Sequence, residues 1–93
     1  MPKVVHDPAA RKFFISLVPN ETAEVAYHRE GDLLDLTHTA VPASRRNQGW
    51  AEKVVEAAFL YAQKEGLKIR PSCSYISSTF IKKRTDLLNL IES

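Results

Sequence analysis

Apolar and polar positions change rhythm once along this chain, from a strand-like alternation to a helical period. Between Phe13 and Val41 aromatic and β-branched residues come in short runs separated by turn formers, the habit of strands. Phe13-Phe14-Ile15-Ser16-Leu17-Val18 predicts a first strand, and Pro19-Asn20-Glu21 breaks it as a hairpin connection. Ala23 to Arg29 predicts a second, with Val25 and Tyr27 on one face and Glu24 and His28 on the other. The chain turns again at Glu30-Gly31-Asp32. Leu33 to Val41 then predicts a third strand, with Leu34, Leu36 and His38 on one face and Leu33, Asp35, Thr37 and Thr39 on the other. Pro42 ends it. Three strands joined by short turns read as an antiparallel meander, and His6-Asp7-Pro8 before them as a turn.

From Ala51 onward the period is that of a helix. Ala51, Val54, Val55, Ala58 and Ala62 fall on one stripe with Phe59 beside them, and Glu52, Lys53, Glu56, Gln63 and Lys64 cover the opposite side. Gly66 stands where a C-cap belongs. Leu67-Lys68-Ile69-Arg70 predicts a short strand stopped by Pro71. A strand, turn, helix and strand make a crossover unit, which places this strand parallel to Leu33–Val41 or near it. Ser77-Ser78-Thr79 is expected to cap a second short helix running to about Arg84, and Leu87 to Ile91 to add a last helical turn. The fold class is therefore α+β: an antiparallel meander joined to a strand-loop-helix-strand unit, as a single domain over residues 1–93.

Composition narrows the functional classes. A chain of 93 residues, 44% hydrophobic and 26% charged, supports one modest core and excludes a second domain. A net charge of +2 gives no strong nucleic-acid signal, since the cations cluster only at Arg45-Arg46 and Lys82-Lys83-Arg84. One cysteine, Cys73, rules out an internal disulfide framework and suits a reducing compartment. No apolar stretch has the length of a membrane span or a signal-peptide core, so a cytoplasmic or nuclear protein is expected. Without a Cys/His/Asp cluster at ligand spacing, no metal is expected.

The turn before the long helix holds the candidate chemistry. The first N–H groups of a helix have no partner within it, and the helix dipole adds roughly half a positive charge there. Arg45 and Arg46 add fixed charge, and Gly49 lets a ligand approach the backbone. Two readings stay open on local chemistry: a cradle for phosphate or pyrophosphate, or a helix start at Asn47 or Gln48 with solvated arginines.

The wider pattern resembles the GNAT superfamily of N-acetyltransferases. Arg46-Asn47-Gln48-Gly49-Trp50-Ala51 matches that superfamily's Arg/Gln-x-x-Gly-x-Gly/Ala loop, between a strand and a helix as the pattern requires. His38-Thr39-Ala40-Val41-Pro42 and Pro71-Ser72-Cys73 narrow the resemblance to the small, single-domain acetyltransferase-like members. The resemblance implies a minimal GNAT-like fold with a coenzyme A-binding core. It implies acetyl-coenzyme A held by Val41, Arg46, Asn47, Gln48, Gly49, Trp50 and Ala51, with Phe80 starting the flanking helix. It also implies that His38 and Cys73 approach the acetyl group. Full-length members wall the acceptor pocket with N-terminal helices for which no room is expected here, so the open acceptor side is expected to suit a protein or peptide amine, or a weak, relaxed activity.

Three departures accompany the match. Asn47 stands where glycine is usual, though asparagine tolerates positive φ. Trp50 replaces a small aliphatic residue, and Lys82-Lys83-Arg84-Thr85-Asp86 lacks the His/Asn-Pro-x-Tyr ending. A histidine titrates near neutrality, so His38 reads either as a proton acceptor or as a sheet-edge residue. Cys73 follows the parallel strand, where ligands of open sheets bind, and reads either as a nucleophile or as a small buried residue. Direct transfer assisted by His38 is the favoured mechanism, with a Cys73 acetyl-enzyme as the other. A coenzyme A-binding module with little catalysis, or an interaction protein without cofactor, are the competing functions. Tyr75 and Phe80 read mainly as packing residues, Lys82-Lys83-Arg84 mainly as a solvated face with contact to the cofactor's phosphates as the other reading, and His6 and His28 carry no assigned role.

Overall fold

The computed structural model describes residues 3–17 and 20–92, so Val18 and Pro19, expected at the first hairpin, lie outside it. Its strands are β1 (Val5–Asp7), β2 (Lys12–Leu17), β3 (Glu21–Glu30), β4 (Leu33–Ala40) and β5 (Lys68–Arg70). They form one sheet in sequence order, antiparallel from β1 to β4, with β5 parallel to β4. The crossover between β4 and β5 is helix α1 (Trp50–Glu65), as the hydrophobic period predicts.

Strand β1 replaces the turn expected at His6-Asp7. A three-residue run, Val5-His6-Asp7, is too short to show a period of its own, and its extended form is imposed by pairing His6 with Phe13. The His6 ring stacks on Phe13 with centroids 4.2 Å apart, and its Nε2 lies 2.6 Å from the Tyr27 hydroxyl.

Helix α1 buries Val54, Val55, Ala58, Phe59 and Ala62 against sheet residues that include Ile15, Val25, Leu34, Leu36 and Ile69. Burying each large aliphatic or aromatic side chain is worth about 1.5–3 kcal/mol, so this seam holds the two layers together. After β5 a helical run spans 74–83, followed by a 3-10 turn, Thr85–Leu90, and both pack on α1. The run starts before the expected Ser77-Ser78-Thr79 cap. The Ser77 hydroxyl donates to the Cys73 and Ser74 carbonyls and Ser78 to Ser74, so these side chains bond back along the helix rather than capping it. The segment Ile76–Phe80 within the run is π-wound.

One irregularity decides which side chains reach the site. Ala26 pairs with His38 but Tyr27 pairs with Leu36, leaving Thr37 as a β-bulge. Beyond it, Thr39 lies opposite the buried Val25 and so shares the core face with Leu34 and Leu36. His38, opposite Ala26, moves to the other face and is exposed. Simple alternation assigned these two residues the reverse way. One extra residue changes every facing after it.

Candidate active site

The loop between β4 and α1 is built in three steps. A 3-10 turn, Ala43–Arg45, follows Pro42, and Arg46 is extended at φ −69, ψ 154. Asn47 then turns left-handed at φ 64, and Gly49 does so again at φ 85, ψ 8, as the N-cap of α1. Asparagine is among the few residues with a side chain that take this region readily, so Asn47 serves where glycine is usual. A Cβ at Gly49 would meet nothing within 4 Å, so its backbone angle, not crowding, calls for glycine. No side chain caps α1, and its first-turn N–H groups are left for another acceptor.

Glu21 on β3 braces this loop. The Ser44 hydroxyl donates to its carboxylate at 2.9 Å, and Arg45 Nε does so at 3.2 Å. Arg46 is exposed and makes no ion pair among the described residues. The Trp50 indole N–H donates to Gln48 Oε1 at 3.0 Å, tying that side chain to the helix start.

A cavity of about 600 Å³ opens beside the loop. The end of β4 contributes His38, Thr39, Ala40 and Val41. The loop adds Arg45, Arg46, Asn47 and Gly49, and the start of α1 adds Trp50, Ala51 and Glu52. The far wall is Tyr75, Thr79 and Lys83, four residues apart on one stripe of the second helical run. Its charged side chains are Arg45, Arg46, Lys83 and a single carboxylate, Glu52.

Most of the expected residues meet here: His38, Val41, Arg46, Asn47, Gly49, Trp50 and Ala51 all line the cavity. Gln48 does not. Phe80 does not either: it is fully buried, 5.0 Å from Phe59 between ring centroids. Adjacent helical residues point about 100° apart, so Thr79 faces the cavity while Phe80 faces the core. Lys83 lines the wall and Arg84 bonds Glu56 and Asp86, so the basic triplet is not simply a solvated face.

Cys73 lies one side chain behind the wall, its Sγ 3.3 Å from the Oγ1 of Thr39. Burial pushes the Cys73 thiol up, but hydrogen bonds from Thr39 and the backbone of Ile76 and Tyr75 outweigh it and leave the thiol below its ordinary value. No hydrogen bond joins Cys73 to His38, which stands on the opposite face of β4. The side chain that meets the thiol is Thr39. Tyr75, read from sequence as packing, is half-buried on the cavity wall; burial first, then the charges of Glu52 and Cys73, raise its hydroxyl above the ordinary value. Thr39, Glu52 and Thr79 were not singled out as site residues, and Lys83 stood only within a triplet read mainly as solvated. The four-residue spacing of Tyr75, Thr79 and Lys83 was the available signal.

This geometry belongs with a known group of proteins. Residues 12–89 match the GCN5-related N-acetyl-transferase family, and the chain belongs to that family. The chain is similar to Protein NATD1 of Bos taurus, 32% identical over 83 residues that cover 87% of this chain and 73% of that protein. Protein NATD1 of Mus musculus is 34% identical over 76 residues, covering 80% of this chain and 69% of its own length. The NMR solution structure of a GCN5-like putative N-acetyltransferase from Staphylococcus aureus superposes with a TM-score of 0.69. It covers 98% of this chain and 88% of its own, and at 21% identity it shows the shared fold. The mixed α+β sheet is thus that of the family. Among the described residues no helix is long and apolar enough to cross a membrane, and no group of His, Cys, Asp and Glu is placed to hold a metal ion.

Proposed function

We propose that this chain binds acetyl-coenzyme A in the cavity and transfers its acetyl group to an amine carried by a protein or peptide. The observation that carries the reading is the loop: left-handed Asn47 and Gly49 lead into an uncapped helix end beside Arg46. Backbone N–H groups, a helix dipole and a guanidinium there suit a pyrophosphate. Val41, Trp50 and Ala51 complete the wall around it.

Transfer forms a C–N bond and breaks the thioester C–S bond, and the amine gives up a proton. His38 is the exposed base at the cavity edge and takes that proton, which then passes to the departing sulfur so that it leaves as a thiol. The separation of His38 from Cys73 across β4 favours direct transfer, because no base contacts the thiol. One observation favours the alternative acetyl-enzyme: the hydrogen bonds that hold the Cys73 thiol below its ordinary value.

Calorimetric titration with coenzyme A tests binding, and radiolabelled acetyl-coenzyme A with mixed protein acceptors tests transfer. Binding is expected at micromolar to millimolar ligand. No heat at millimolar coenzyme A overturns the reading. His38→Ala is expected to slow transfer about 100-fold, and Cys73→Ala to change it little. The reverse order would establish the acetyl-enzyme route, and binding without transfer would leave a coenzyme A-binding module.

A further inference from the structure

We infer that Lys83 is a specificity residue for a second phosphate group on the ligand, the one carried by the ribose of coenzyme A; this rests on the coenzyme A reading above. The cavity has an ordered polarity. Its inner end is marked by Thr39 and the Cys73 thiol behind it, with Tyr75 close enough to feel the Cys73 charge. From Tyr75 the stripe runs through Thr79 to Lys83, eight residues on, or about 12 Å at 1.5 Å per residue. Lys83 therefore stands far along the cavity wall from the thiol end, on the opposite wall from the loop that suits the pyrophosphate.

Two further facts bear on Lys83. It has no ion pair among the described residues, so its charge is not spent within the protein. Its neighbour Arg84 bonds Glu56 on α1 and Asp86 beyond the run, which ties the end of the run that carries Lys83 to α1. Lys82, one residue earlier, is exposed and does not line the cavity. Cationic groups on two walls, with a single carboxylate among them, fit a ligand with phosphate at two separated places.

The test compares coenzyme A with dephospho-coenzyme A by calorimetry, on the wild type, Lys83→Met and Lys82→Met. The wild type is expected to favour coenzyme A about fivefold, as one exposed charge pair allows. Lys83→Met is expected to bring the two ligands level, with dephospho-coenzyme A bound as by the wild type, and Lys82→Met to keep the preference. Equal binding of both ligands by the wild type overturns the inference and leaves the coenzyme A reading intact. So does a preference that survives in Lys83→Met. Failure of the wild type to bind either ligand overturns both.

Discussion

Helix α1 begins and ends on a left-handed glycine, and its two ends are finished in opposite ways. At Gly66, φ 73, the N–H of Leu67 bonds the Ala62 carbonyl at 2.8 Å and that of Gly66 bonds Gln63 at 3.4 Å. Leu67 is buried behind them, so the chain closes its own helix. At Gly49, φ 85, no side chain caps the helix, and the end opens on a cavity with Arg46 beside it. Residue type and backbone region are the same at both ends. What differs is whether the chain satisfies its own polar groups or leaves them for a ligand, and that difference separates a structural glycine from a site.

The strongest way to break this contrast is Gly49→Glu. A carboxylate in the cradle is expected to lower coenzyme A affinity about 100-fold or more, while the left-handed angle costs about 1 kcal/mol of stability. Titration reads the first and thermal melting the second; undiminished affinity would place the pyrophosphate elsewhere. Gly66→Ala should do the opposite. It should cost about 1 kcal/mol, roughly 4–8 °C in melting temperature for a domain of this size, with coenzyme A affinity unchanged. Arg46→Met comes next, with affinity about tenfold lower and an unmoved melting curve, since a charged hydrogen bond is worth about 1.5 kcal/mol and the Arg46 side chain bonds no other among the described residues. A fall in melting temperature would instead give Arg46 a structural role.

The smallest effect lies away from both ends. Burial holds His6 below its ordinary value, and Asp7 pulls weakly the other way. Folding thus favours neutral His6, so its contribution is complete above about pH 6.5 and is lost as pH falls below that value. A modest drop in melting temperature between pH 7.5 and 5 should shrink in His6→Phe. An identical drop in both proteins would assign the acid sensitivity to other groups.

The long amphipathic stripe of α1, its glycine stop and the parallel placement of β5 were legible because each rests on several residues repeating one period. The loop was legible for a related reason: Asn47 and Gly49 announce backbone angles that few residues adopt. What stayed hidden depends on tertiary partners. Strand β1 exists through its pairing with Phe13 and through Tyr27, which lies far along the sequence from His6. The Thr37 bulge leaves no mark in composition, so alternation placed His38 on the wrong face and missed Thr39 as the partner of Cys73. Phe80 was placed toward the cofactor by resemblance, although its ring belongs to the core and the polar Thr79 beside it faces the cavity.

The bulge also bears on the order in which the sheet assembles. Pairing of β3 with β4 can zip outward from the turn at Gly31, but the register slips at Thr37 and the ladder cannot simply run through it. The far half, with Thr39 opposite Val25, gains its contact to Cys73 only once the chain beyond α1 and β5 has packed. Substitutions near Leu34 should therefore slow folding, whereas Thr39→Val should chiefly quicken unfolding. On that expectation the half of β4 that lines the cavity closes last on the way in and opens first on the way out.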